Sequence, residues 1–317
     1  MPLARPARLV FCGTPRFAVP TLEALLAAGH QIALAVTQPD RPAGRSQQLA
    51  APPVKQTALA AGIPVTQPEK IRNNTDFRAQ LEAVAPDAIV VVAYGRIIPP
   101  WMLALPRLGC INLHASLLPK YRGAAPIQWA VARGETVTGN TTMLLEEGLD
   151  TGPILLQQKV EINPAQTAED LFDVLAQAGA PLVIKTLAGL AGGGIQPQPQ
   201  DHTLATLAPL LNREDGRMDF AVLTASELRN RWRGFQPWPG AFTALDGKKL
   251  IIHSMEVADA AGAAIPGQIR IENHRLLVAC AQNTWLELVE IQLEGKKRLP
   301  AADFLRGTQF AASARLG

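Results

Sequence analysis

The run Asp87-Ala88-Ile89-Val90-Val91-Val92-Ala93-Tyr94 is apolar at nearly every position. A strand covered on one face alternates apolar and polar residues. A strand covered on both faces does not. The run therefore reads as the central strand of a parallel sheet with helices on either side. Upstream of it, residues 8–12, 32–37 and 63–65 read as further strands. Helical patterns separate them at 14–28, 54–61 and 76–85. Thr14 is the expected cap of the first helix, with Pro15 in its first turn, and Gly29 and Gly62 end the first two. This alternation predicts an α/β, doubly wound, Rossmann-like and mostly parallel sheet.

Downstream the texture changes. Residues 111–114 read as another strand, 116–126 as a proline- and glycine-rich loop, and 126–133 as a helix. Two strands, 140–145 and 154–162, flank the turn Gly148-Leu149-Asp150-Thr151-Gly152. A long helix over 167–191 opens on Thr167-x-x-Asp170, a pattern like a capping box. The stretch Gly192-Gly193-Gly194-Ile195-Gln196-Pro197-Gln198-Pro199-Gln200 reads as a linker, because glycine loosens a chain and proline extends it. Strand-like runs at 250–253, 268–271, 275–279 and 285–292 then predict a small antiparallel β-barrel. The expected organisation is a domain over 1–191, a linker over 192–210 and a barrel domain over 211–317.

Bulk properties fit this division. A chain of 317 residues, 48% hydrophobic and 18% charged, can bury two cores and is not disordered. A net charge of +3 means that any nucleic-acid surface must come from local clustering. Cys12, Cys110 and Cys280 form no Cys-x-x-Cys pair, which argues against a disulfide framework or a zinc site and for a reducing, cytoplasmic setting. His30, His202, His253 and His274 lack ligand spacing, so no metal is implied. No cleavable leader or bilayer-length apolar run is expected.

The densest chemical cluster is Ile111-Asn112-Leu113-His114-Ala115-Ser116-Leu117-Leu118-Pro119. Asn112 and His114 are two apart, so on a strand they share a face. They sit at the carboxyl end of that strand, where open α/β sheets bind ligands. An amide can donate to a developing oxyanion, and an imidazole can donate or shuttle a proton. Asp150 is the candidate third member, able to orient His114. Its glycine-bounded turn also suits an aspartate for turn chemistry alone.

Asn112-x-His114-x-Ser116-Leu117-Leu118-Pro119, followed by Tyr121-Arg122-Gly123-Ala124-Ala125-Pro126-Ile127, resembles the signature of the 10-formyltetrahydrofolate-dependent formyltransferases. The resemblance implies that Asn112, His114 and Asp150 are catalytic. It also implies that Ser116, Leu117, Leu118 and Pro119 bind the folate, 10-formyltetrahydrofolate being a co-substrate. Val90 to Gly95 resembles the strand whose end borders the folate, and with it Tyr94 joins the folate contacts. Within the family the chain is most similar to the branch that formylates initiator methionyl-tRNA. Phe11-Cys12-Gly13-Thr14-Pro15 resembles that branch's opening turn. Thr37-Gln38-Pro39-Asp40-Arg41-Pro42-Ala43-Gly44-Arg45 resembles its inserted tRNA-contacting loop. Ser46-Gln47-Gln48 stands where the family often has lysines, which reduces the phosphate-binding charge. Phe235-Gln236-Pro237-Trp238-Pro239-Gly240-Ala241 resembles part of its OB-like C-terminal barrel.

Arg41 and Arg45 are the implied tRNA contacts in the loop. In the barrel, Arg231 (in Arg229-x-Arg231-x-Arg233) and Lys296-Lys297 could grip phosphates or could simply be a solvated face. The expected reaction is direct attack of an amine on the formyl carbon, in a monomer away from any membrane. Its rivals are another acceptor amine (a ribonucleotide or an amino sugar nucleotide), hydrolysis of the formylfolate, and a non-catalytic tRNA-binding protein. The turn at Gly13-Thr14-Pro15 lacks Gly-x-Gly-x-x-Gly and a phosphate-loop lysine, which argues against a dinucleotide.

Overall fold

The computed structural model describes residues 6–43, 48–308, 310 and 314–317. The chain forms two compact units. The first comprises residues up to Pro126, Val137–Glu161 and Leu171–Pro209; the second comprises Ile127–Thr136, Ile162–Asp170 and Leu210–Gly317.

In chain order the elements up to the first long helix are β1 (Arg8–Gly13), α1 (Val19–Ala27), β2 (Gln31–Val36), β3 (Arg41–Ala43), β4 (Gln48–Ala50), α2 (Pro53–Ala60), β5 (Val65–Thr66), α3 (Thr75–Val84), β6 (Ala88–Val92), α4 (Pro100–Leu103), β7 (Cys110–His114), α5 (Pro126–Ala132), β8 (Val137–Leu144), β9 (Ile154–Glu161) and α6 (Ala168–Ala191). Seven strands form one sheet in the order β5-β2-β1-β6-β7-β8-β9. The first five run parallel, and β8 and β9 join antiparallel. All five residues of β6 are buried between β1 and β7, as an all-apolar central strand requires. The Rossmann-like expectation holds.

Thr14 does not cap α1. Its hydroxyl donates to Tyr94 O (3.3 Å) and accepts from Gln38 N (3.2 Å), which ties together the carboxyl ends of β1, β2 and β6. A short 3₁₀ turn, Arg16–Ala18, precedes the helix instead. The inserted loop is a small antiparallel pair: Arg41, Pro42 and Ala43 oppose Ala50, Leu49 and Gln48. Arg45 lies outside the described residues.

Helix α6 has 24 residues and a most apolar window of mean hydropathy 1.5, the length and composition of a membrane-crossing helix. That corrects the expectation that no apolar run is long enough. Its apolar face is buried, however, with Leu171, Leu175, Val183 and Leu187 fully covered. Leu175 O accepts from the Asn140 amide of β8 (2.8 Å), and Gly179 lets the helix close on Leu113 of β7, where a Cβ would stand 2.6 Å from a Leu113 methyl. The capping box of the preceding turn is present, with Thr167 N donating to Asp170 Oδ2 (2.9 Å).

Residues 192–209, expected as part of a free linker, are sewn to the first unit. Ile154 and Gln198 exchange backbone bonds (2.7 and 2.8 Å), Arg122 N donates to Thr206 O (2.8 Å), and Ala208 N donates to Arg122 O (2.7 Å). These residues form a strap, not a spacer.

The second unit contains α7 (Ala225–Gly234), β10 (Ala241–Leu245), β11 (Lys248–Ala258), β12 (Ile269–Glu272), β13 (Arg275–Ala279), β14 (Trp285–Leu293), β15 (Leu299–Pro300) and α8 (Ala301–Arg306). Its antiparallel sheet runs β10-β11-β14-β13-β12, with β15 added to β14. The two open edges are bridged by the chain's last residues. Ile269 N donates to Ala314 O (3.1 Å) at β12, and Gly317 N donates to Ala244 O (3.1 Å) at β10. That closure makes the sheet barrel-like around Met218, Leu228, Leu250, Ile252, Leu286 and Leu288.

Candidate active site

Asn112 and His114 lie on β7, which is flanked by β6 and by the antiparallel β8, with Asn112 opposite Met143 and His114 opposite Thr141. Both side chains are nearly buried (8% and 6% exposed), so any charge developing beside them meets protein dipoles more than water. The Asn112 amide has no protein hydrogen-bond partner among the described residues, which leaves its donors for a ligand.

His114 Nε2 lies 2.9 Å from Tyr121 O. A carbonyl only accepts, so Nε2 carries a hydrogen. The proton that can come and go is then on Nδ1. That atom stands 3.7 Å from Asp150 Oδ2. The same carboxylate oxygen accepts from Gly123 N at 2.8 Å. Asp150 therefore bridges the imidazole and the loop after β7, and its own backbone is left-handed (φ 51°). Tyr121 is left-handed as well (φ 61°). Gly123, at φ 123°, passes so close to the strap that a Cβ would lie 2.6 Å from Ala208 O, so only glycine fits there.

The loop expected to bind folate is held by one hydroxyl. Thr141 Oγ1 donates to Ser116 O (2.6 Å) and accepts from Leu118 N (3.1 Å) and Gln157 Nε2 (2.9 Å). The Ser116 hydroxyl itself turns inward to Lys120 O (2.6 Å), and Ser116 and Leu118 are buried. Leu117 and Pro119 are partly exposed and are the members of this group open to a ligand. Tyr94 departs from the expected contact. Its ring sits in the core with Val10, Cys12 and Met102, and its buried hydroxyl has no partner among the described residues. Burial pushes that hydroxyl's pKa up. Its carbonyl is what serves the site's rim, accepting from Thr14 and from the Gln38 amide (3.0 Å).

Residues 7–187 match the family model described as Formyl transferase, and residues 210–309 match that of the Formyl transferase C-terminal domain. The chain belongs to the formyl transferase family. Relatives of this formyl transferase include proteins named methionyl-tRNA formyltransferase from Acidobacterium capsulatum (68% identical, covering 98% of this chain and 99% of the relative) and Koribacter versatilis (60%, 98% and 98%). Among solved structures, the N-formyltransferase of Helicobacter canadensis, in complex with folinic acid and dTDP-3-aminofucose, superposes with a TM-score of 0.66 at 17% identity over 89% of this chain and 98% of that one. HypX of Aquifex aeolicus in complex with tetrahydrofolic acid gives 0.61 at 16% identity, over 95% of this chain and 47% of that one. At such identities the likeness is one of fold.

The formyl transferase's sequence-predicted cations fare unequally. Arg41 is exposed but paired with Glu69 (3.1 Å). The base of its loop is pinned: Lys55 reaches both Asp40 oxygens (2.9 and 2.7 Å), and hydrogen bonds from Lys55 and Gln67 hold the Asp40 carboxyl below the usual range. Arg231 is turned inward, donating to Asp215 O (2.9 Å) with its guanidinium 5.1 Å from the Phe235 ring centroid. Burial lowers its pKa, and it is a structural cation of α7, not a free phosphate contact. Lys296 and Lys297 are exposed on the turn after β14, and neither has an ion-pair partner among the described residues. No cluster of three His, Cys, Asp or Glu side chains fit to hold a metal ion occurs among the described residues.

Sequence reasoning missed Gln200 and Thr206. Gln200 Nε2 donates to Asp150 O (2.9 Å) and Gly152 O (2.7 Å). Thr206 Oγ1 accepts from Tyr121 N (2.9 Å). Both lie in the polar strap, where no periodicity distinguishes a hydrogen-bonding residue from a spacer.

Proposed function

We propose that this enzyme transfers the formyl group of 10-formyltetrahydrofolate to the free amine of initiator methionyl-tRNA. The observation that carries the reading is the His114–Asp150 pair beside the unpaired amide of Asn112, at the carboxyl end of a parallel strand. Relatives spanning the whole chain and named methionyl-tRNA formyltransferase support the acceptor.

Asn112 donates to the formyl oxygen as the amine attacks the formyl carbon. A single such donor contributes roughly 2.7–4 kcal/mol to a transition state. Protonated at Nδ1, His114 adds a second donor to the oxyanion. Asp150 orients the imidazole and relays the proton that the attacking amine loses. The new carbon–nitrogen bond forms, the bond to the folate nitrogen breaks, and that nitrogen takes the proton. Leu117 and Pro119 supply apolar contact to the folate, and holding two substrates together is itself a large part of the rate. The barrel, through Lys296 and Lys297, and the loop bearing Arg41 and Arg45 hold the tRNA. The enzyme acts as a cytoplasmic monomer.

The test mixes purified protein with labelled 10-formyltetrahydrofolate and initiator methionyl-tRNA, with uncharged tRNA as control. Label in the charged tRNA alone supports the reading. Formylfolate consumed without labelled tRNA overturns the acceptor, leaving water or another amine.

A further inference from the structure

Gln200 is nearly buried, 6% exposed, in a strap that carries no catalytic group. Its amide is fully used. The two amide hydrogens go to Asp150 O and Gly152 O (2.9 and 2.7 Å). The two lone pairs of Oε1 accept from Arg122 Nε (3.1 Å) and a terminal guanidinium nitrogen (2.6 Å). Only one amide orientation satisfies this set. The flipped amide would turn its oxygen on two carbonyls and its hydrogens on a guanidinium.

Arg122 is as buried as Gln200, at 7% exposed, and no carboxylate stands within ion-pair range of it among the described residues. Its remaining side-chain partner is His202 Nδ1 (3.1 Å), which accepts. Its backbone is clamped on both sides by Thr206 O and Ala208 N. The residue after it, Gly123, is the donor to the Asp150 carboxylate. A closed circuit results: Asp150 carboxylate to Gly123, along the chain to Arg122, across its guanidinium to Gln200, and back to the Asp150 carbonyl. Both ends of Asp150 are thus referred to one rigid arginine. Left-handed backbone at a non-glycine residue persists only where its surroundings over-determine it.

We infer that Gln200 is a positioning residue for formyl transfer, with Arg122 as its anchor, and that it acts by setting the Asp150 carboxylate against His114. The inference rests on the catalytic roles proposed above for that pair. Neither residue touches the reacting atoms.

Gln200→Glu is the sharpest variant. It keeps the side chain's size and its partnership with Arg122, but replaces the two donors to the turn with a carboxylate oxygen that faces the Asp150 and Gly152 carbonyls. Gln200→Glu and Gln200→Ala should each lower kcat at least tenfold and leave KM for the formylfolate and for methionyl-tRNA within twofold. The same changes made in an Asp150→Asn background should cost nothing further, because residues acting as one unit are non-additive. Equal losses in both backgrounds would make Gln200 a general structural residue and overturn the inference. So would a fully active Gln200→Glu enzyme. Should Gln200→Ala fail to fold, Gln200→Glu carries the test alone. Failure of the unaltered enzyme on methionyl-tRNA would instead remove the proposed acceptor, which is a different result.

Discussion

Asp150 Oδ2 stands 3.7 Å from His114 Nδ1, within ion-pair range and beyond a hydrogen bond. The gap is set from the far side, because Gly123 N holds the same oxygen at 2.8 Å. The carboxylate is thus hydrogen-bonded to the loop after β7 and only in ion-pair range of the imidazole.

Asp150→Asn tests that arrangement. The amide oxygen can still accept from Gly123 N, so the turn should persist while the charge beside Nδ1 is lost. Proton transfer by a positioned group accounts for about 10²–10⁴ in rate. Single-turnover formyl transfer should fall by about that factor, with formylfolate affinity by titration within twofold.

Glu69→Gln addresses the tRNA side. Glu69 occupies the Arg41 guanidinium. An exposed pair of this kind contributes only ~0–1 kcal/mol, so phosphate can displace it. Releasing Arg41 in advance should lower KM for methionyl-tRNA about twofold to threefold at low salt, with the gain fading as salt rises. Steady-state assays at two ionic strengths measure it; a KM unchanged at both removes Arg41 from tRNA binding.

The three cysteines should be inert in the folded protein. All are buried, and burial pushes the thiols of Cys110 and Cys280 up to about 12 and raises that of Cys12 well above its usual value. Only the thiolate is reactive. A chromogenic disulfide reagent at pH 8 should release no colour until denaturant is added, and then three equivalents.

His30 should make the fold acid-sensitive. Burial lowers its pKa below the ordinary 6.5, and its Nδ1 accepts from Ala7 N at 3.2 Å. Just below pH 6.5 the unfolded chain binds a proton that the folded chain refuses. Stability is therefore fully present above the unfolded pKa and lost as pH falls towards the lowered folded value. Urea midpoints at pH 7.5 and 5.5 should drop further for the native sequence than for His30→Gln.

Much of this was legible in the residues themselves. The all-apolar run at β6 announced a doubly covered strand, and the two-residue spacing of Asn112 and His114 put them on one face. What failed did so for tertiary reasons. Tyr94 and Ser116 carry polar atoms, and nothing local says that one ring fills the core and that the other hydroxyl bonds inward to Lys120 O. The Arg229-x-Arg231-x-Arg233 triplet reads from sequence as a phosphate grip or a solvated face. It is a helix whose start, Thr224-x-x-Glu227, forms a capping box like the one recognised at Thr167. The closing of the barrel by residues 314–317 has no local signature, because it depends on where two distant edges come to lie. The strap was misread because its glycines, prolines and glutamines have the composition of a tether, while its bonds depend on the loop it meets.

That strap decides how the enzyme can be cut. A fragment ending at Ala191, where composition invites a boundary, would retain Asn112, His114 and Asp150 in its sequence. It would lack Gln198, Gln200, Thr206 and Ala208, which pin β9, the Asp150 turn and the loop after β7. The smallest piece that keeps those bonds must run on through Pro209. Designs that exchange the C-terminal barrel for another domain should make the join after that residue, so that the graft leaves the aspartate where it stands.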